Sequence, residues 1–208
     1  MKAIIFYILL NAVRNKLYIG LILFLLIAIS LSIFLGSTAF IEEQQFTNAY
    51  IAGLSRIIIE SGMMIFVCIN IGKAFENKEI EFIISKSISR EKFILSSIAG
   101  FLLASILIII PLILLILIIC KVNYLGLFIW STTIIAETTI AISFALLSSL
   151  ILKNSFSAIM ASFGFYILSH LIGIFVMSIK TIDKVNDLSG QSTISLLKIM
   201  LKKFQINL

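Results

Sequence analysis

"FILSSIAGFLLASILIIIPLILLILIIC", residues 93–120, contains no charged side chain. As a helix it is longer than the hydrocarbon core of a bilayer, which is about 30 Å thick. In lipid a single segment can satisfy its own backbone only as a helix. The apolar run is continuous and does not alternate, which excludes a barrel strand. The stretch is therefore read as a membrane-spanning helix that tilts, kinks or projects to absorb its excess length. Pro111 frees the carbonyl of Leu107, and a kink is expected there.

Four further runs flank it, at 17–39, 57–73, 124–152 and 155–178. Together they predict an all-α, polytopic helical bundle. The composition requires the same solvent. The chain is 61% hydrophobic and 12% charged, with a mean hydropathy of +1.18. A soluble domain has about one charged residue in four. A water-soluble core of this size could not hide so much Ile and Leu. One Pro and ten Gly leave few breaks, which suits long helices. The net charge of +6 does not indicate nucleic acid, because the bases are scattered through short loops and form no phosphate-binding face. Cys68 and Cys120 lie in apolar runs, where packing is their expected role.

The two ends differ from the spans. "MKAIIFYILLNAVRNK" is bounded by Lys2, Arg14 and Lys16, and its apolar middle is too short to span. No small-residue cleavage site follows, so an interfacial helix leading into the first span is expected rather than a signal peptide. Residues 179–208 read as an outer amphipathic tail, with Ile194, Leu197, Leu201 and Phe204 at helical spacing.

Orientation is read from Lys and Arg in short loops. With the N-terminus inside, nine fall in the cytoplasm: Lys2, Arg14, Lys16, Lys73, Lys78, Lys86, Arg90, Lys92 and Lys153. The outer loop 41–50 has none, and the next has only Lys121. Five in the tail (Lys180, Lys184, Lys198, Lys202, Lys203) fall outside and oppose the rule.

The main inner feature is "FENKEIEFIISKSISREKF", residues 75–93, where four acids and four bases interrupt the apolar chain. A helix over 75–84 is expected, lying along the membrane surface. Ser89 is placed to cap the third span, with Glu91 in its first turn. One reading is a solvated loop whose charges enforce topology. The other is a docking element for a soluble partner.

The stretch "FENKEIEFIISKSISREKFILSSIAG" resembles the first cytoplasmic loop of type-2 ABC transporter permeases. That family shows an acidic residue, a short helix, a Leu-Ser-x-Pro-hydrophobic-Ser-Arg turn and a Phe-hydrophobic-Leu start to the next span. Glu79 and Glu81 match the acidic part, Ile84-Ser85 and Ile88-Ser89-Arg90 the turn, and Phe93-Ile94-Leu95 the start of the span. Ser87 replaces the usual Pro, which loosens the turn. "NAVRNKLYIGLILF" likewise resembles the family's amphipathic lead-in helix.

The resemblance covers residues 1–178. It implies a permease domain over 1–178 with a coupling loop at 74–92, two such subunits as a homodimer, and two cytosolic ATPases. Phe75, Glu76, Lys78, Glu79, Glu81, Phe82 and Arg90 are then the coupling residues. ATP and Mg would reside in the partner, and this chain would bind no cofactor directly. The implied location is the bacterial plasma (inner) membrane, with a cytoplasmic N-terminus. The family usually has six spans; a sixth is here either naturally absent, truncated away after the tail, or supplied by another chain.

The residues themselves bound the chemistry. No G-x-x-x-x-G-K-[ST] phosphate loop is present, so ATP hydrolysis is expected in another chain. Glu137 lies near the middle of the fourth span among Thr132, Thr133, Thr138 and Thr139. It reads either as a neutral acid bonded to those hydroxyls or as a substrate contact. Glu60 has Arg56 four residues before it, which suggests a pair within one helix. His170, the only His, reads as a packed, hydrogen-bonded residue or a ligand. Ser169 and Gly173 have the spacing of a close helix contact. Three readings compete with a permease. An ion-coupled secondary transporter would use Glu60 and Glu137, but no internal repeat supports it. An intramembrane enzyme needs converging acids or a nucleophile–base pair, which the sequence lacks. A membrane scaffold regulated by an ATPase is the third. The sequence does not specify a substrate.

Overall fold

The computed structural model describes the backbone of residues 2–38, 43–78, 89–119 and 123–205. Side chains are described as far as residue 181, except at 2, 3, 43, 45, 90 and 119. The described residues form helices α1 (Lys2–Arg14), α2 (Lys16–Ser37), α3 (Glu43–Glu76), α4 (Arg90–Ile119), α5 (Tyr124–Leu152) and α6 (Ser155–Gln205). No strand occurs among them. Five helices are long and apolar enough to cross a membrane, consistent with an all-helical polytopic membrane protein. The chain divides into two compact units, Met1–Phe163 and Gly164–Leu208.

Asparagines mark three of the helix starts. Asn15 accepts the amide of Leu17 at 3.1 Å, Asn123 that of Leu125 at 3.2 Å, and Asn154 that of Phe156 at 3.0 Å. Each side chain satisfies an orphan N–H of the first turn and fixes where the helix begins. Lys153 closes α5 in the left-handed region, at φ 52°, with its amide bonded to the carbonyl of Ser149. The α5–α6 reversal therefore occupies only Lys153 and Asn154.

Within the first unit α3 is the central helix, packed against α2 on one side and α5 on the other, while α4 packs on α1 and α5. Contact pairs give the directions. A Cβ on Gly36 would meet Thr47, and one on Gly62 would meet Leu21, so α2 and α3 run antiparallel. Gly72 against Ser155 and Cys68 beside Ser162, at 3.6 Å between Sγ and Oγ, make α3 antiparallel to the start of α6. These glycines remove side chains where backbones approach, and in lipid close packing replaces the hydrophobic drive of water-soluble cores. Gly36→Val should therefore force α2 away from the Thr47 backbone and cost about 1–3 kcal/mol. A lowered midpoint of thermal unfolding in detergent would show it, and an unchanged midpoint would refute the close approach.

The core is knit by three rings. Tyr18, Phe66 and Phe101 are buried, with centroids 6.0 Å apart for Tyr18–Phe66 and 5.9 Å for Phe66–Phe101. The Tyr18 hydroxyl donates to the Ala104 carbonyl at 2.9 Å, tying α2 to α4. Ile59, Met63, Val67, Ile134, Ile142 and Leu146 fill the α3–α5 seam, all fully or almost fully buried. Helix α1 buries Ile8 and Ala12 and leaves Phe6, Tyr7, Leu10 and Val13 exposed. A second apolar face on so short a helix suits a lipid interface. Asn11 of α1 donates to Asn70 of α3 at 3.2 Å.

Three sequence expectations change. The second span was expected over 57–73 and the preceding 41–50 as a loop, but helix begins at Glu43 and continues to Glu76. Hydropathy reports where lipid contact ends, whereas a helix without Pro continues past that limit. The expected helix over 75–84 does not start as proposed. Phe75 and Glu76 close α3, the amide of Lys78 turns back to the Phe75 carbonyl, and Lys78 is left-handed at φ 57°. A left-handed residue ends a helix. Residues 79–88 lie outside the described structure. Finally, the backbone beyond 178 continues α6 without a break to Gln205. Helix α4 also runs through Pro111 as one element.

Candidate functional site

Helices α3 and α5 carry the site, and their shared register places it. Arg56 meets Thr133 and Cys68 meets the Ala145 carbonyl, both across a separation of 77 residues. A constant offset means that α3 and α5 run parallel, so residues at equal distances along them lie at equal depth. Arg56 lies about 15 Å along its helix from Phe46, and Glu137 about 20 Å from Tyr124. Glu137 falls near the middle of its span, and Arg56 about a third of the way along a longer one.

There the Arg56 Nε and the Glu137 Oε2 are 3.0 Å apart. The Arg56 Nη2 also donates to the Thr133 hydroxyl at 3.4 Å. That hydroxyl bonds back to the carbonyls of Ile129 and Trp130, each at 2.9 Å. Thr133 thus links the guanidinium to the α5 backbone through its hydroxyl. Placing one charged side chain at the bilayer centre costs about 2.5–3.5 kcal/mol on insertion scales, and a charge-assisted hydrogen bond offsets part of it. The pair is not enclosed. Its side chains remain 33% and 43% exposed for Arg56 and Glu137. Gly53, Ile57, Thr132, Ala136 and Ile140 are exposed at helical spacings on the same flank.

Arg56 pairs across helices with Glu137, where the sequence suggested a pair along α3 with Glu60. The threonines around Glu137 are engaged within α5. Thr132, Thr138 and Thr139 donate to carbonyls three or four residues back in α5. A helical Thr reaches that carbonyl within its own turn, which satisfies the hydroxyl locally. Glu60 is buried in α3 at 4% exposure.

His170 lies in the second unit, exposed, with its ring stacked on Tyr166 one turn earlier at 6.0 Å between centroids. Nothing lies within contact of a Cβ on Gly173. Of the coupling residues, Phe75 is half-buried and Glu76 and Lys78 are exposed at the end of α3, while Arg90 opens α4. Glu79, Glu81 and Phe82 lie outside the described residues. No cluster of three His, Cys, Asp or Glu suited to a metal occurs among the described residues.

A cavity of about 140 Å³ opens near the other end of the first unit, lined by Ile51, Ala52, Ile116, Leu127 and Trp130, with Asn48 beside them. Its lining is almost wholly apolar. Such a space holds methylene groups rather than water.

Comparison with protein-family models, curated proteins and solved structures finds no match to this chain.

Proposed function

We propose that the chain is a membrane-spanning permease subunit of an ATP-driven ABC transporter of the type-2 kind. It acts as an exporter in a bacterial plasma membrane and is not itself an enzyme. Two copies form the permease, and two cytosolic ATPases bind ATP and Mg. The observation that carries this reading is the charged end of the first unit. The end of α3 (Lys73, Glu76, Lys78) and the α5–α6 reversal at Lys153 lie at one end, because α3 runs antiparallel to the start of α6. The first turns of α4 (Glu91, Lys92) are held near that end through α1, whose Ile8 meets Gly100 and whose Asn11 bonds Asn70. An ATPase docking there would reach the spans through the segment between α3 and α4, which carries the residues that resemble the family's coupling loop.

The docking test is joint replacement of Glu79 and Phe82 by Ala. Losing two anchors of a small interface is worth about 1–3 kcal/mol, so co-purification with the ATPase should fall roughly tenfold or more. Membrane insertion should persist. Unchanged co-purification would refute docking through this segment.

Orientation is tested at the two ends of α3, at exposed Gln44 in its first turn and exposed Asn77 just past its last residue. In intact cells Gln44→Cys should react with an impermeant thiol reagent and Asn77→Cys should not. Reversed labelling would place the N-terminus outside.

A further inference from the structure

We infer that the Arg56–Glu137 flank is the two-fold seam between two copies of this chain, closed by a ring of four charges. The inference rests on the paired-permease reading above and adds which face does the pairing.

The pair sits well inside both spans and is about one-third exposed at Arg56 and somewhat more at Glu137. A guanidinium has five N–H donors. Those turned outward cannot be satisfied by hydrocarbon, and ionisable groups within spans face protein or a polar cavity. A covering protein surface that offers a carboxylate to the arginine and a donor to the glutamate at that same depth satisfies both. A second copy offers both. Because α3 and α5 are parallel and the two groups touch, Arg56 and Glu137 stand side by side at one level. A two-fold axis along the membrane normal keeps that level and reverses the lateral order. It sets Arg56 of one copy against Glu137 of the other, twice. An isologous interface requires such self-complementarity.

The surrounding flank suits close approach. Gly53 and Ala136 are exposed on it, and a Cβ on Gly53 meets nothing within 4 Å. Small residues let two helix backbones come together in lipid, and Thr132 and Thr133 add hydroxyls beside the charges.

Two measurements on the full-length chain in native membranes test this. In a Cys68→Ser, Cys120→Ser background, single cysteines are placed at Gly53, at Ala136 and, on exposed α2, at Phe24. Oxidation should trap disulfide-linked dimers through Gly53→Cys or Ala136→Cys and not through Phe24→Cys. Trapping only through Phe24→Cys, or at none of the three, overturns the seam.

The second measurement co-expresses Arg56→Glu and Glu137→Arg under different tags. Each variant opposes its own copy with like charges, whereas the mixed pair restores complementarity. Mixed dimers should therefore clearly exceed the random half. A mixed fraction at or below half, with the double swap Arg56→Glu/Glu137→Arg behaving as the unaltered chain, means that the pair acts within one copy and overturns the proposal. ATPase co-purification separates the two readings. If it persists while the seam tests fail, the permease reading stands and the seam falls. If the unaltered chain never captures an ATPase, the permease reading fails and the trapping result still decides the seam.

Discussion

Arg56→Ala is expected to lower stability by about 2–4 kcal/mol, and Arg56→Ala/Glu137→Gln to recover most of that loss. Removing one partner of a fully buried pair costs about 3–5 kcal/mol, because the other charge is left uncompensated. In detergent the half-exposed partner left behind can reach water, which reduces the figure here. The double variant removes both charges and keeps an uncharged amide of similar shape, so the two effects should be strongly non-additive. Denaturant titration of the purified protein in mild detergent gives the comparison. Simple addition of the two single losses would show that the ion pair does not couple α3 to α5. Glu137→Gln alone should also be harmful, since it strands the guanidinium.

Phe101→Ala should cost about 2–3 kcal/mol. Phe101 is fully buried and meets Phe66 edge-on, and Phe66 in turn touches Tyr18. Truncation leaves a cavity, at about 24 cal/mol per Å³ of residual volume. The expected loss is below the 3–5 kcal/mol typical of soluble cores, because in lipid no transfer from water is reversed. Tyr18→Phe should lose only about 1 kcal/mol, the net worth of the hydroxyl's bond to the Ala104 carbonyl. Thermal unfolding of the two variants under one detergent condition should separate them clearly. Equal midpoints would show that the ring cluster does not hold α2, α3 and α4 together.

Much of the architecture was legible in the residues. The runs at 124–152 and 155–178 predicted α5 closely and the start of α6 to the residue, because Asn123 and Asn154 are both boundary residues and helix caps. The end of α1 at Arg14 was equally visible, since charges end its apolar face. The start of α3 was not, because Gln44, Thr47 and Asn48 are polar enough to resemble a loop and still continue a helix that buries Ile51 and Ser55.

The sequence alone determined the solvent of this protein, its helical class, the five apolar spans and the charged break between α3 and α4. Each follows from local composition: a run of Ile and Leu requires lipid wherever it sits, and in lipid the backbone must close on itself. Only the tertiary structure decided that Arg56 belongs to Glu137. Along the chain the nearest acid is Glu60, at helical spacing. The rotation of α3 instead buries Glu60 and turns Arg56 to the α5 seam, and the parallel register brings Glu137 to the same depth. Rotation and register depend on where Gly36, Gly62 and Gly72 let neighbouring helices approach. In lipid, where apolar side chains gain little by leaving their solvent, such packing contacts choose each helix's neighbours.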